Sequence, residues 1–425
     1  MRFRSIFTLT CFLLPFMIES LSHAESPPPT ASFGSFDHRA RAGEPLTVVF
    51  FGGSLTWGAN ASDPQRTSYR ALMGDYLRKK YPRSSFEFID AAIGATGSKL
   101  GLFRLQRDVM AYHPDLVFLD FTANDGISGE DPQSLTSYEG LLRDMIGAGV
   151  PVEQVFLGFK FNFGKQYNLD KNIGYTQRLK LVQAYQTGCG DLFPYLQPKL
   201  VNGELDIDNL WALNGGKDGA HPDDPGYRVF FEAARQGFEQ AVEQKRTCLV
   251  PLQPVYSDAY HQRTRKVLVD SPLPTGWTRT KTFRTSAWFD GLSSRWMGDV
   301  AMCDARDKAT IQPLKVEFTG TLVGLIGEIS EDGLDFKAYV DGKLMQNHSS
   351  LKAPPTDSWP FNSKAMKGNL FAFRVISDNL PPGKHTLQIE PVFPDEAASA
   401  PATETIKPGE PKRQLRIESI CSAGE

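Results

Sequence analysis

The hydrophobic pattern divides the chain into two styles. Between about residue 45 and residue 245, apolar runs alternate with segments whose apolar residues recur at helical spacing. Pro45–Phe51, Phe86–Ile93, Asp115–Phe121 and Gln154–Phe159 are strand-like; the first and third are apolar almost throughout, as in strands buried on both faces. Arg66–Lys80, Leu100–Tyr112, Leu135–Ala148, Ile173–Thr187 and Pro225–Glu243 carry the helical period. In the first of these, Tyr69, Leu72, Met73, Tyr76 and Leu77 supply the apolar stripe. The last is predicted to start from Asp224 as N-cap, with Pro225 in its first position. Alternation of this kind argues for a doubly wound parallel sheet, whose sites lie in loops beyond the strand C-termini.

From Leu249 the style changes to short alternating segments: Lys315–Glu317, Thr321–Ile326, Phe336–Val340 and His385–Ile389. Asp341-Gly342 and Pro382-Gly383 are turn signals between them. This half reads as an all-β sandwich. His348–Lys367 and Pro394–Lys412 read as long polar loops, and no internal repeat is found. A length of 425 residues exceeds the usual size of one core. The expected division is 25–40 as a Pro/Ser-rich leader, 41–248 as the α/β domain and 249–425 as the sandwich.

Residues 1–24 add a compartment. Arg2 and Arg4 precede a mostly apolar Ile6–Ile18, and Ser22-His23-Ala24 resembles a small-residue cleavage site. This is the pattern of a secretory signal peptide cut after Ala24. The apolar stretch is short for a membrane span, and no later segment is apolar for long enough, so no stable membrane insertion is expected after cleavage. Export leaves Cys189, Cys248, Cys303 and Cys421. An even count in an exported chain suggests disulfides, and Cys189–Cys248 with Cys303–Cys421 keeps each pair inside one expected domain. A net charge of −3 supplies no basic field, which argues against nucleic acid as a partner.

The chemistry begins at "TVVFFGGSLTWG", Thr47–Gly58, where an apolar strand ends on Gly52 and Gly53 and sets Ser54 directly after them. The strand-to-helix elbow pattern G-x-S-x-G is half met, because Thr56 stands in the last glycine position. A serine hydroxyl needs a base, and the base needs an orienting carboxylate. "KDGAHPDDPGY" offers both on one loop, with Asp218 three residues before His221. In this half the other histidines are His38 and His113, and His113 precedes Pro114 at a strand entrance, a structural position. No C-x-x-C or Cys/His cluster exists, and Asp224 beside His221 reads as a helix cap, so no metal is expected.

Four ordered blocks then resemble the SGNH (GDSL-type) hydrolase superfamily over roughly residues 45–245: the Ser54 segment, "DAAIGATGSKLG" (Asp90–Gly101), "TAND" (Thr122–Asp125) and "DGAHP" (Asp218–Pro222). The resemblance implies a flavodoxin-like α/β fold, here followed by a jelly-roll-like sandwich. It implies Ser54 as nucleophile, His221 as general base and Asp218 as its orienter, with no cofactor. The oxyanion hole would use the Ser54 N–H, the N–H of Gly94 or Ala95, and the Asn124 amide; an Ala95 donor supposes a backbone that avoids positive φ. Two departures stand out. Thr122 replaces the usual glycine and is expected to narrow the pocket, and Ile93-Gly94-Ala95 replaces I-G-G.

Asp125 reads as a structural hydrogen-bonding residue, and Trp57 as either a pocket wall or packing beneath the nucleophile loop. Of Trp277, Trp288, Trp296 and Trp359, the last is the best surface candidate for stacking on sugar, because its loop is polar and Pro-rich. Exported SGNH enzymes with an attached sandwich resemble carbohydrate esterases, so the expected substrate is an acetylated polysaccharide or oligosaccharide. The alternatives are a lipase-like or lysophospholipase-like esterase, and a non-catalytic glycan-binding protein that retains the fold. The sequence is silent on oligomeric state.

Overall fold

The computed structural model describes residues 30–126, 131–163, 169, 172–282, 296–331, 333–348, 354–362, 369–393 and 413–424. The proposed signal peptide, 1–24, lies outside them. In chain order the first half runs α1 (Phe33–Ala42), β1 (Leu46–Gly52), α2 (Ser54–Trp57), α3 (Tyr69–Lys80), β2 (Phe86–Asp90), α4 (Ser98–Asp108) and β3 (Leu116–Asp120). It continues with α5 (Pro132–Gly147), β4 (Val152–Phe156), α6 (Ile173–Tyr185), β5 (Gly188–Asp191), α7 (Leu192–Val201), α8 (Ile207–Leu210) and α9 (Asp224–Glu243).

The five strands pair in parallel in the order β2-β1-β3-β4-β5, the flavodoxin-like doubly wound arrangement. Every residue of β3 and β4 is buried, which explains the consecutive apolar positions of β3; β4 buries Glu153 and Gln154 as well. Aromatic rings tie the sheet to its helices: Phe50 of β1 stacks on Phe118 of β3 with centroids 5.0 Å apart, and Phe118 lies 6.1 Å from Phe238 of α9.

Among the elements that escaped the sequence reading are α1 and β5. The segment read as part of a leader, 25–40, contains most of α1, which Ser32 caps by accepting from the Ser35 N–H. Phe33 and Phe36 of α1 are buried against Phe238. β5 reads Gly-Cys-Gly-Asp and has no strand-like side chains. A Cβ on Gly190 would lie 2.6 Å from Ala234 Cα of α9, so the glycine is what lets that helix approach. The N-cap of α9 is Asp223 rather than Asp224.

The second half contains β6 (Arg263–Val267), β7 (Thr278–Thr280), β8 (Val300–Asp304), β9 (Leu314–Thr319), β10 (Leu322–Ile329), β11 (Asp335–Val340), β12 (Lys343–Leu344), β13 (Leu370–Ser377), β14 (Lys384–Val392) and β15 (Gln414–Ala423). These form two antiparallel sheets. One runs β13-β10-β15-β8-β7, with β6 also paired to β15; the other runs β12-β11-β14-β9. Both β10 and β15 are buried along their whole length because their sheet is a middle layer. Val323, Leu325, Leu415 and Ile417 belong to the core of the second half, whereas Leu322, Ile326, Cys421 and Ala423 belong to the core of the first.

The contact between halves runs through α4, where the Phe103 ring lies 5.1 Å from Phe373 of β13. The connecting chain is pinned by the buried Glu139 carboxylate, which accepts from the backbone N–H groups of Val255, Tyr256 and Ser257 and from the Tyr185 hydroxyl.

The disulfide expectation is not met: Cys189, Cys248, Cys303 and Cys421 are all free thiols. For Cys303 and Cys421 the register gives the reason. Leu415 faces Cys303, so Cys421 lies six residues further along β15, about 20 Å at the usual strand rise. Trp359 is not a surface residue; it is buried, stacked on Phe336 with centroids 5.9 Å apart. Trp277 is buried and donates to the Gln312 carbonyl, Trp296 packs edge-on against Tyr112, and Trp288 lies outside the described residues. Among the described residues, no helix is long and apolar enough to cross a membrane.

Candidate active site

The question raised by the Gly-Gly-Ser turn has a steric answer. β1 ends at Gly52, and Ser54 opens the single turn α2, which closes on left-handed Gly58 (φ 100°). A Cβ on Gly52 would fall 2.2 Å from Thr56 Oγ1 and 2.5 Å from the Asp120 carbonyl oxygen. A Cβ on Gly53 would fall 2.5 Å from Asn124 Oδ1 and 3.3 Å from the Thr96 carbonyl oxygen. Both glycines are therefore demanded by close approach. At Gly53, three of the four sequence blocks converge on one point at the rim of the sheet.

His221 reaches that point from the loop before α9. Its Nε2 lies 2.8 Å from Ser54 Oγ, and its Nδ1 lies 2.8 Å from Asp218 Oδ2. Ser54 and His221 are buried. Asp218 Oδ1 accepts from the backbone N–H groups of Ala220 and His221, which fixes the carboxylate within its own turn. Burial alone would raise the Asp218 carboxyl. The hydrogen bond and charge of His221, with the two backbone donors, outweigh burial and hold it below the usual carboxylate range.

Sequence reasoning missed Asn60. Its side-chain amide donates to Asp218 Oδ2 at 2.9 Å and to the His221 carbonyl at 3.1 Å, stitching the Ser54 segment to the Asp-His loop. Its left-handed backbone (φ 68°) could have pointed to an asparagine or glycine, but no sequence pattern marks that conformation here.

A buried network supports the turn. Thr56 Oγ1 donates to Asp120 Oδ2 at 2.8 Å and lies 3.1 Å from the Tyr69 hydroxyl. Burial pushes the Asp120 carboxyl up to about 7, against the Thr56 hydrogen bond and with a contribution from the Asp125 charge. Thr56, which broke the G-x-S-x-G pattern, is thus the residue that holds the elbow down.

Asn124 follows β3 in a tight turn and is solvent-exposed, its amide against Gly53. Ala95 lines the same hollow, about 200 Å³ in volume, as Asn124. Gly94 is buried and Ala95 exposed. Ala95 has φ 59°, contrary to the condition set for it as a donor. A left-handed alanine is strained by about 1–2 kcal/mol, and such strain collects at functional positions. Thr122 does not narrow the pocket; it is buried, with its hydroxyl turned toward the Val155 carbonyl.

Asp125 is structural, as expected: Oδ1 accepts from the Ser98 N–H at the start of α4, and Oδ2 faces Arg178 at 3.5 Å. Asp224 accepts from Ser62 and Thr67, fastening the loop that follows α2. Trp57 is half-buried and lines a separate hollow beside the Asp-His loop. Among the described residues, no group of three or more His, Cys, Asp or Glu side chains could hold a metal ion.

Comparison with known proteins bears on the fold that carries these residues. Residues 50–229 match the model of the GDSL-like Lipase/Acylhydrolase family. Among solved structures, a two-domain esterase (CEX) active on acetylated mannans, co-crystallized with mannopentaose, superposes with a TM-score of 0.70 at 18% identity. That alignment covers 94% of this chain and 97% of the other. A second structure of the same esterase gives a TM-score of 0.69 at 19% identity, covering 92% and 94% of the two chains. Identity this low speaks for the fold, which extends through both halves. No curated protein matches the sequence. Over residues 50–229, the parallel-sheet half of this chain is similar to the GDSL-like Lipase/Acylhydrolase family.

Proposed function

We propose that this chain is an exported serine esterase that removes O-acetyl groups from a polysaccharide. The observation that carries the reading is the relay of two 2.8 Å contacts, Ser54 Oγ to His221 Nε2 and His221 Nδ1 to Asp218 Oδ2. In this mechanism Ser54 Oγ attacks the acetyl carbonyl while its proton passes to His221 Nε2. The imidazolium, held by Asp218, gives that proton to the departing sugar oxygen. Water then loses a proton to His221 and attacks the acetyl-serine; acetate leaves and Ser54 regains its proton. The Ser54 N–H, a backbone N–H of Gly94 or Ala95, and the Asn124 amide stabilise the oxyanion, and one such donor is worth roughly 10²–10³ in rate. No step calls for a metal or cofactor.

Export rests on the N-terminal pattern of residues 1–24. The carbohydrate substrate is supported by the likeness, over nearly the whole chain, to an esterase active on acetylated mannans. The division proposed is a hydrolase unit over 41–248, joined by α1, and a sandwich over 249–425. The test is hydrolysis of 4-nitrophenyl esters of increasing chain length, with acetate release from acetylated plant, algal and bacterial polysaccharides. Activity on acetate that collapses with chain length, and that Ser54→Ala abolishes in a folded protein, is expected. Preference for long acyl chains would favour the lipid-esterase alternative. No turnover together with glycan binding would favour a non-catalytic protein.

A further inference from the structure

Next to the Asp218–His221 loop lies a hollow of about 550 Å³, within the range of small-molecule sites. Its walls are of two kinds. Trp57, Pro64 and Leu213 are apolar, and Leu213 is 44% exposed. Asn60, Asp223 and Asp224 are polar. Asn60 is shared with the triad, since the amide at this wall is the one that donates to Asp218 and to the His221 carbonyl. Trp57 closes the same helical turn that Ser54 opens.

The chemistry of these walls limits what can enter. Two carboxylates oppose an anionic group such as a phosphate or uronate. An alkyl chain would cover carboxylate oxygens without pairing them, which is costly. Asp224 is already engaged by Ser62 and Thr67, and Asp223 Oδ2 accepts from the Ala212 N–H. A pyranose ring fits these walls: its C–H face packs on indole and leucine, and its hydroxyls, which both donate and accept, suit the polar side formed by Asn60, Asp223 and Asp224.

We infer that the hollow is a subsite for a neutral sugar ring on the alcohol side of the scissile ester, packed against Trp57 and Leu213 with hydroxyls toward Asp223. This rests on the esterase reading of the triad. It places recognition of the glycan within the hydrolase half, one residue removed from the catalytic hydrogen bonds.

The test compares two substrates in each protein. For Trp57→Ala and Leu213→Asp, kcat/KM is measured on acetylated manno-oligosaccharides and on 4-nitrophenyl acetate, which has no sugar to fill the hollow. The ratio of the two is expected to fall about tenfold in each variant, the scale of one lost ring contact. Equal losses on both substrates, or no loss, would overturn the subsite. Binding is read separately by calorimetry with mannopentaose, xylopentaose and cellopentaose on Ser54→Ala, alone and combined with Leu213→Asp. At least one pentasaccharide is expected to bind Ser54→Ala and to weaken in the double variant. Absence of binding by all three also overturns the proposal. A wild type that binds a pentasaccharide in this way yet hydrolyses no ester would sink the esterase reading and leave the subsite standing.

Discussion

Asn60 offers the sharpest perturbation of the proposed relay, because it touches both Asp218 and His221 without contacting Ser54 Oγ or the imidazole ring. Replacement by glycine is the cleaner deletion: at φ 68° an alanine would add strain, whereas glycine accepts the conformation. Two hydrogen bonds are lost, one to a carboxylate at 2.9 Å and one to a carbonyl at 3.1 Å. A hydrogen bond to a charged group is worth about 1.5–3 kcal/mol, roughly 10- to 150-fold in rate if expressed fully in the transition state. Water entering the vacated space recovers part of this, so a fall of about tenfold in kcat is expected. The assay is steady-state hydrolysis of 4-nitrophenyl acetate, with KM largely retained because the amide does not touch the acetyl group. Circular dichroism and thermal unfolding establish that the fold persists. A folded Asn60→Gly variant with kcat within about twofold of wild type would refute the role given to this amide.

Two further outcomes follow from the steric and buried-charge features. Gly53→Ala sets a methyl 2.5 Å from Asn124 Oδ1; displacement of that amide should lower kcat at least about tenfold, and undiminished turnover would show that Asn124 is not needed where it sits. Asp120 gives a pH-dependent stability: its folded value of about 7 lies above the usual 3.8. The stabilising contribution of its protonated form is therefore full below about pH 4 and is lost as pH rises toward 7, of order 4 kcal/mol at most. Asp120→Asn keeps an acceptor for Thr56 and should remove this slope, making the variant more stable than wild type at pH 8. Urea unfolding at pH 4 and pH 8 measures it, and parallel curves for the two proteins would contradict the burial argument.

Much of the site was legible because its chemistry restricts spacing. Asp218 and His221 must share a turn for one carboxylate to hold the ring and the backbone together, and three residues apart is what that turn allows. The glycines before Ser54 were visible as a pattern, but their cause was not, since Thr56 and Asn124 come close only in three dimensions. Asn60 carries no signal beyond being an asparagine in a loop. β5 was hidden because close packing by α9 overrides strand propensity at Gly190. β15 was hidden for the opposite reason: Arg416 and Glu418 look solvent-facing, yet both are buried. Arg416 pairs with Glu328 at 2.7 Å, and Glu418 pairs with Arg265 at 2.6 Å. Trp359 misled because the polarity of its loop outweighed the Phe336 ring it stacks on. The four cysteines show that an even count fixes no pairing when the strands carry the thiols apart.

The central claim is that Ser54 carries the acyl group. Rapid quench of the enzyme with 4-nitrophenyl acetate, followed by peptide mass mapping, tests it most directly. The account predicts a burst of nitrophenol no larger than the enzyme concentration and an acetyl group on the peptide containing Ser54, both lost in Ser54→Ala. An acetyl group on another residue, or turnover that survives Ser54→Ala, would contradict it.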